Sequence, residues 1–262
     1  MTTAAAPAAD EKKDPRCKGC HGRGPAPAFT MAFQPIAALR PGQSPSIWGY
    51  EALVRGEGGE GAAFVLDQVT AETVYQFDQA CRVRAIEMAG ALGLAPDIKL
   101  SINFMPNAIY EPLACIRASM ASARRVGVGA DQLMFEFTET ERFVDIRHVS
   151  NIIARYREMG MMTALDDFGS GHSGLVRLAQ LKPDLLKIDM ALVRGIDADP
   201  RRQAIVAGIL ALAQQLDVQV IAEGVETAEE YRTLRDAGTT LFQGYYFGRP
   251  QIGALPRIEI GA

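Results

Sequence analysis

Short apolar runs alternate with amphipathic stretches along most of this 262-residue chain. The runs at residues 30–35, 47–54, 98–104, 132–138, 161–166, 185–189, 218–223 and 240–245 have strand length and strand composition. Between them, residues 74–92, 106–125, 146–159, 173–180, 200–216 and 228–237 place apolar side chains at helical spacing. Strands alternating with helices predict an α/β fold with a mainly parallel sheet. Eight such strands predict a (β/α)8 TIM-like barrel rather than an open sheet. The link at residues 40–46 is short and carries Gly and Pro, so it reads as a hairpin and makes the first strand antiparallel. Residues 1–28 hold Ala, Pro, Gly and charge without an apolar period and read as a flexible tail. The remaining residues, 29–262, read as one domain without an internal repeat.

The polar positions interrupt this pattern in one kind of place. Glu51 closes the second predicted strand, Asn103 the third and Glu136 the fourth. Asp166 and Asp167 follow at the fifth, Lys187 at the sixth, Glu223 at the seventh and Gln243 at the eighth. A charge at the end of an apolar run is costly unless it is paired or binds a metal. In a barrel, the C-terminal strand ends converge on the face that carries active sites.

Composition narrows the chemistry. Lys and Arg number 27 against 31 Asp and Glu, a net charge of −4. That balance argues against a nucleic-acid polymer as partner, since non-specific binding to one needs basic surface. It also argues against a polybasic membrane anchor. No apolar run approaches the roughly 18 residues of a membrane span. The first thirty residues show no secretory leader, so the expected location is cytoplasmic. Cys81 and Cys115 stand singly in helical patterns and read as buried reduced thiols.

Crowded carboxylates repel one another and raise each other's pKa. A hard divalent cation with a preference for oxygen ligands, such as Mg²⁺ or Mn²⁺, resolves that conflict. Adjacent Asp166 and Asp167 could share two ions, and two ions about 3.5–4 Å apart suit displacement at a phosphoester. With only 3 histidines in the chain, a His-ligated zinc hydrolase is disfavoured. An acid at a strand-to-helix turn can also be a helix N-cap. That reading weakens when so many strand ends carry polar groups together. A glycosidase using Glu136 and Glu223 is a second alternative. It leaves Asn103, Asp166, Asp167 and Lys187 without a role, and the chain holds one Trp as a sugar platform.

The motifs add a resemblance. Gly49-Tyr50-Glu51-Ala52-Leu53-Val54-Arg55 resembles the signature of the EAL domain family of cyclic-di-GMP phosphodiesterases. The likeness continues through Phe33-Gln34-Pro35-Ile36, Ser101-Ile102-Asn103, Glu136-Phe137-Thr138-Glu139 and Asp166-Asp167-Phe168-Gly169-Ser170-Gly171. It runs on through Lys182-Pro183-Asp184, Lys187-Ile188-Asp189, Ala222-Glu223-Gly224-Val225-Glu226-Thr227 and Gln243-Gly244-Tyr245.

The resemblance implies a hydrolase that opens cyclic-di-GMP to linear pGpG with two Mg²⁺ or Mn²⁺ ions. It implies that Glu51, Asn103, Glu136 and Asp166 hold one ion, and that Asp166, Asp167 and Glu223 hold the other. Lys187 and Glu223 would position or deprotonate the attacking water, with Glu51 counted among the catalytic groups. Arg55 would contact a substrate phosphate, and Gln34 and Gln243 would contact substrate. Glu139 would hold the loop after the fifth strand, which in the family links metal binding to a homodimer interface. The family more commonly follows Gly171 with Tyr-Ser-Ser; here His172-Ser173-Gly174 stands there, with His172 read as a packing or loop residue. The alternative within the family is a catalytically weak receptor for cyclic-di-GMP or a protein-interaction module.

One motif lies outside that likeness. Cys17-Lys18-Gly19-Cys20-His21 spells the c-type haem attachment pattern. A metal site on Cys17, Cys20 and His21, a bridging disulfide between protomers, and a chance or redox-sensitive pair are its other readings. Haem attachment requires export, for which no leader is seen.

Overall fold

Strands β1 (Thr30–Ala38) and β2 (Ser46–Arg55) form the antiparallel hairpin that starts the barrel, with Gln34 opposite Glu51. From β2 onward each strand runs parallel to the next: β3 (Lys99–Asn103), β4 (Leu133–Thr138), β5 (Met162–Phe168), β6 (Leu185–Ile188), β7 (Gln219–Ala222) and β8 (Leu241–Gln243). β8 then pairs antiparallel with β1 and closes the ring, so the one strand expected to run antiparallel does so. This computed structural model describes residues 27–39, 42–106, 112–139, 145–171 and 173–260. The Cys17–Cys20–His21 motif and His172 lie outside the described residues.

The helices α1 (Ala62–Leu66), α2 (Val74–Ala91), α3 (Pro112–Val126), α4 (Ile146–Glu158), α5 (Gly174–Leu181), α6 (Met190–Val193), α7 (Pro200–Gln215) and α8 (Ala228–Asp236) lie between the strands. Their starts follow capping chemistry. The Asp145 side chain accepts from Arg147 N at the head of α4. Asp199 accepts from Arg201 N and Arg202 N ahead of Pro200 in α7. Thr227 and Glu230 form a capping box on α8. Helix α3 begins at Pro112 rather than at residue 106, as suits a proline, which has no N–H to donate to a preceding turn. The short α1 and α6, and a two-residue strand β9 (Gln251–Ile252) that pairs with β1, are additions that period-based reading does not detect. None of the described helices is long and apolar enough to cross a membrane.

Inside the barrel the period of two decides everything. Ile36, Met134, Ala164, Leu185, Ile221 and Leu241 point inward and pack as a buried floor. Two residues from each of these toward the mouth (before Ile36 on the antiparallel β1, after the others), the next inward position carries Gln34, Glu136, Asp166, Lys187, Glu223 or Gln243. The lumen is thus an apolar layer topped by a polar one. The outward faces of the same strands pack on the helices, as Phe104, Phe135 and Tyr156 do with one another.

Candidate metal centre at the barrel mouth

Lys187 stands at the centre of the polar layer, with its side chain 1% exposed. Its Nζ lies 2.8 Å from Glu136 Oε2, 2.8 Å from Glu223 Oε1, 3.3 Å from Asp166 Oδ1 and 3.5 Å from Glu51 Oε2. Burial alone would drive the proton off, but these carboxylates outweigh it and hold the Lys187 pKa well above its ordinary value. Amides and a hydroxyl complete the layer. Asn103 Nδ2 donates to Glu51 Oε1 at 2.9 Å and Gln243 Nε2 donates to Glu51 Oε2 at 2.6 Å. Gln243 Nε2 also reaches Gln34 Oε1 at 3.3 Å, and Ser101 Oγ donates to Glu136 Oε1.

Strand β5 departs from regular pleating where it matters. Leu165 pairs with Leu186 and Phe168 with Ile188, so three steps on β5 match two on β6. Asp166 and Asp167 therefore share one bulge, and Asp167 has φ 55 in the left-handed region. Neighbours in a regular strand point to opposite faces. A bulge re-aims one of them. The outcome is that Asp166, Asp167 and Glu223 each offer a carboxylate oxygen, all within 4.8 Å of one another.

Such crowding has an electrostatic cost. Burial, opposed by Lys187 and reinforced by Glu51 and Asp166, pushes the Glu136 carboxyl up to about 8. Burial and then Asp166 push Asp167 up to about 6 and raise Glu223 well above the carboxylate range. One ammonium does not neutralise Glu51, Glu136, Asp166, Asp167 and Glu223. Oxygen donors only, negative charge in excess and mutually raised acids fit a hard divalent cation. Among the described residues Asp166, Asp167 and Glu223 are placed to share an ion, while Glu51, Glu136 and Asp166 meet at the Lys187 ammonium.

Glu139, just past β4 and 2% exposed, clasps the loop after β5. Its Oε2 accepts from Gly169 N at 2.9 Å, and its Oε1 accepts from Ser173 N at 3.0 Å and Gly174 N at 2.8 Å. Above the acids a cleft of about 250 Å³ opens, walled by Gln34, Gln243, Met190, Arg194, Glu226 and Tyr245. Arg194 and Tyr245 went unassigned in the sequence. Arg194 is engaged by Glu226, and Arg249 sits 4.1 Å over the Tyr245 ring. Arg55 is not among the cleft-lining residues; its Nη1 turns back to Val54 O at 2.7 Å.

A (β/α)8 barrel with a ring of acids, amides and one lysine at its mouth has the chemistry to hold a hard cation on the face where enzymes of this fold carry their sites. More particularly, the chain belongs to the EAL domain family, whose model matches residues 26–250. A standalone versatile EAL protein from Vibrio cholerae O395, solved in its c-di-GMP-bound form, is 47% identical with a TM-score of 0.84. That match covers 90% of this chain and 98% of the other. BlrP1 of Klebsiella pneumoniae, in a manganese/cyclic-di-GMP complex, is 35% identical with a TM-score of 0.81, covering 89% of this chain and 59% of that one. The cyclic di-GMP phosphodiesterase NbdA of Pseudomonas aeruginosa is 32% identical over 231 residues, which are 84% of this chain and 28% of NbdA. The chain spans 56% or less of the length of the first curated relatives it matches.

Proposed function

We propose that this chain hydrolyses cyclic-di-GMP to linear pGpG with two Mg²⁺ or Mn²⁺ ions. The observation that carries this reading is the convergence of Asp166, Asp167 and Glu223 within 4.8 Å, beside Glu51, Asn103 and Glu136. Membership of a family with named cyclic di-GMP phosphodiesterases, and a neighbour solved with manganese and the dinucleotide, support it. Glu51, Asn103, Glu136 and Asp166 would hold one ion, and Asp166, Asp167 and Glu223 the other. Bound there, the ions lower the pKa of water and offset charge on the phosphodiester oxygens.

The chain's own residues do the rest. Lys187, which keeps its proton among the carboxylates, donates hydrogen bonds and positions the attacking water rather than deprotonating it. Glu223, whose Oε1 lies 2.8 Å from Lys187 Nζ, accepts the proton from that water. Water oxygen joins phosphorus as the P–O3′ bond breaks, the proton taken by Glu223 passes to the 3′ oxygen, and the product is linear with a 5′-phosphate. Gln34 and Gln243 contact substrate along the cleft, and the buried Gln243 Oε1 has no protein partner. Arg55 turns from Val54 O toward a phosphate, which its fork suits. The reading includes a homodimer, and Leu175 and Val176 on α5, exposed directly after the Glu139-held loop, would supply apolar surface for it.

The test is incubation of the purified chain with cyclic-di-GMP and Mg²⁺ or Mn²⁺, beside Glu51→Ala, with pGpG quantified by chromatography. Metal-dependent pGpG from the native chain alone supports the reading. Tight binding without pGpG overturns it in favour of a receptor, and equal turnover by Glu51→Ala overturns the residue assignment.

A further inference from the structure

Asn103 offers the one neutral ligand atom assigned to the metal centre, and it sits on the last residue of β3. Its position depends on what fixes the chain just beyond the strand. On one side Phe104 N donates to Glu136 O at 3.0 Å. On the other, an apolar pocket of about 460 Å³ opens, lined by Asn103, Met105, Phe77, Cys81 and Asp78 among others. The buried Phe104 ring packs on Phe135 and Phe137, and one residue further on a side-chain hydrogen bond reaches the backbone. Asp78 Oδ1, from α2, accepts from Met105 N at 2.9 Å.

Asp78 is itself held. It is 4% exposed, and its second oxygen, Oδ2, accepts from Arg82 Nη2 at 2.8 Å. Arg82 lies one helical turn on and is 1% exposed. The two oxygens are divided, one for Arg82 and one for the Met105 amide. A buried ion pair is often no more stabilising than apolar side chains of equal volume. Its presence beside the ligand strand thus asks for another role.

We propose that Asp78, oriented by Arg82, is a positioning residue that sets Asn103 for the divalent cation through the Met105 amide. The inference rests on the reading of Asn103 as a ligand. It makes this pair the outer support of the metal centre on its β3 side, as Glu139 supports the loop on its β5 side. Outer partners of metal ligands commonly change affinity by about 10–100-fold.

The test separates positioning from folding. Asp78→Leu with Arg82→Met replaces the pair by apolar side chains and deletes the acceptor. Asp78→Asn with Arg82→Met removes the charges but keeps an acceptor for Met105 N. Each is made in the full chain. Mn²⁺ affinity is read by titration calorimetry, and thermal unfolding is followed without metal. The Leu/Met variant is expected to unfold near the native midpoint yet bind Mn²⁺ roughly 10-fold more weakly. The Asn/Met variant is expected to regain most of the loss. On an Asn103→Ala background the Leu/Met change is expected to add nothing, because both act on one ligand. If the Leu/Met chain does not fold, Asp78→Ala with Arg82→Met also deletes the acceptor and carries the same expectation. Native Mn²⁺ affinity in a folded acceptor-less variant overturns the proposal, as does an additive loss on the Asn103→Ala background. Native affinity in Asn103→Ala itself removes the ligand reading, and the proposal with it.

Discussion

Lys187 Nζ and Glu136 Oε2 meet at 2.8 Å inside the barrel, where neither side chain has more than 1% of its surface exposed. Glu223, Asp166 and Glu51 complete the surround of that ammonium. Lys187 therefore serves as a fixed internal cation that keeps the acids together. Removing one partner of a buried ionic group leaves uncompensated charge and costs about 3–5 kcal/mol. Lys187→Met, unfolded in urea at pH 8 without metal, is expected to lose stability of about that order. Mn²⁺ is expected to return part of it. A variant as stable as the native chain in both conditions would contradict this role.

The raised acids give a pH dependence whose sign is fixed. Glu136 moves from 4.5 up to about 8 and Asp167 from 3.8 up to about 6. Each holds a proton in the folded chain that the unfolded chain releases. Their contribution is fully present below the unfolded values and is lost as pH rises through about 6 and about 8. Lys187 is raised from 10.5 and so contributes evenly across this window. The metal-free melting temperature is expected to fall between pH 5 and pH 8.5, and to fall less in Glu136→Gln. Cations compete with those protons, so the stabilisation by Mn²⁺ is expected to widen over the same range. Scanning fluorimetry with and without Mn²⁺ measures both; a flat metal-free profile identical in the two proteins would refute it.

Asp166 and Asp167 share a face only because Asp167 occupies the left-handed region, with φ 55. Asn tolerates that region nearly as well as Asp, whereas a β-branched residue does not. Asp167→Asn is expected to melt near the native temperature while binding Mn²⁺ roughly 10-fold more weakly or worse. Asp167→Val is expected to lose about 1–2 kcal/mol of folding stability in addition. Equal melting of the two variants would mean that the bulge does not need its backbone conformation.

How much of this was legible follows from periodicity. Met134 to Glu136, Leu185 to Lys187 and Ile221 to Glu223 are each two residues apart on a strand, so one inward face carries both floor and acid, and alternation alone exposes it. That Asp166 and Asp167 could act together was legible from their adjacency, but the bulge that lets them do so was not, because a positive φ leaves no hydrophobic signature. Asp78 and Arg82 carry no sequence signal, because i, i+4 pairs of opposite charge are common on exposed helix faces; only the packing of α2 shows this one buried. Arg55 illustrates the converse: its type fits a phosphate, while its guanidinium turns to Val54 O. The short α1, α6 and β9 escape because each is too brief to show a period.

Glu139 takes three backbone N–H groups of the β5–α5 loop on two oxygens. Glu139→Gln keeps the shape but turns one of those oxygens into an NH₂. Whichever way the amide faces, a donor then meets a donor, at Gly169 or at Ser173 and Gly174. A buried unmade hydrogen bond costs about 1–3 kcal/mol. The loss is local, because the loop can open while the barrel strands stay paired. Amide exchange is therefore expected to accelerate at Gly169, Ser173 and Gly174, with exchange in β4 and β6 unchanged. Asp167 lies at the loop's root and its carbonyl accepts from Ser170 N at 3.1 Å, so loosening reaches the proposed metal centre. Cyclic-di-GMP hydrolysis is expected to fall along with Mn²⁺ affinity. Rapid exchange in the loop together with native Mn²⁺ affinity would show that the clasp orders the loop without serving the metal centre.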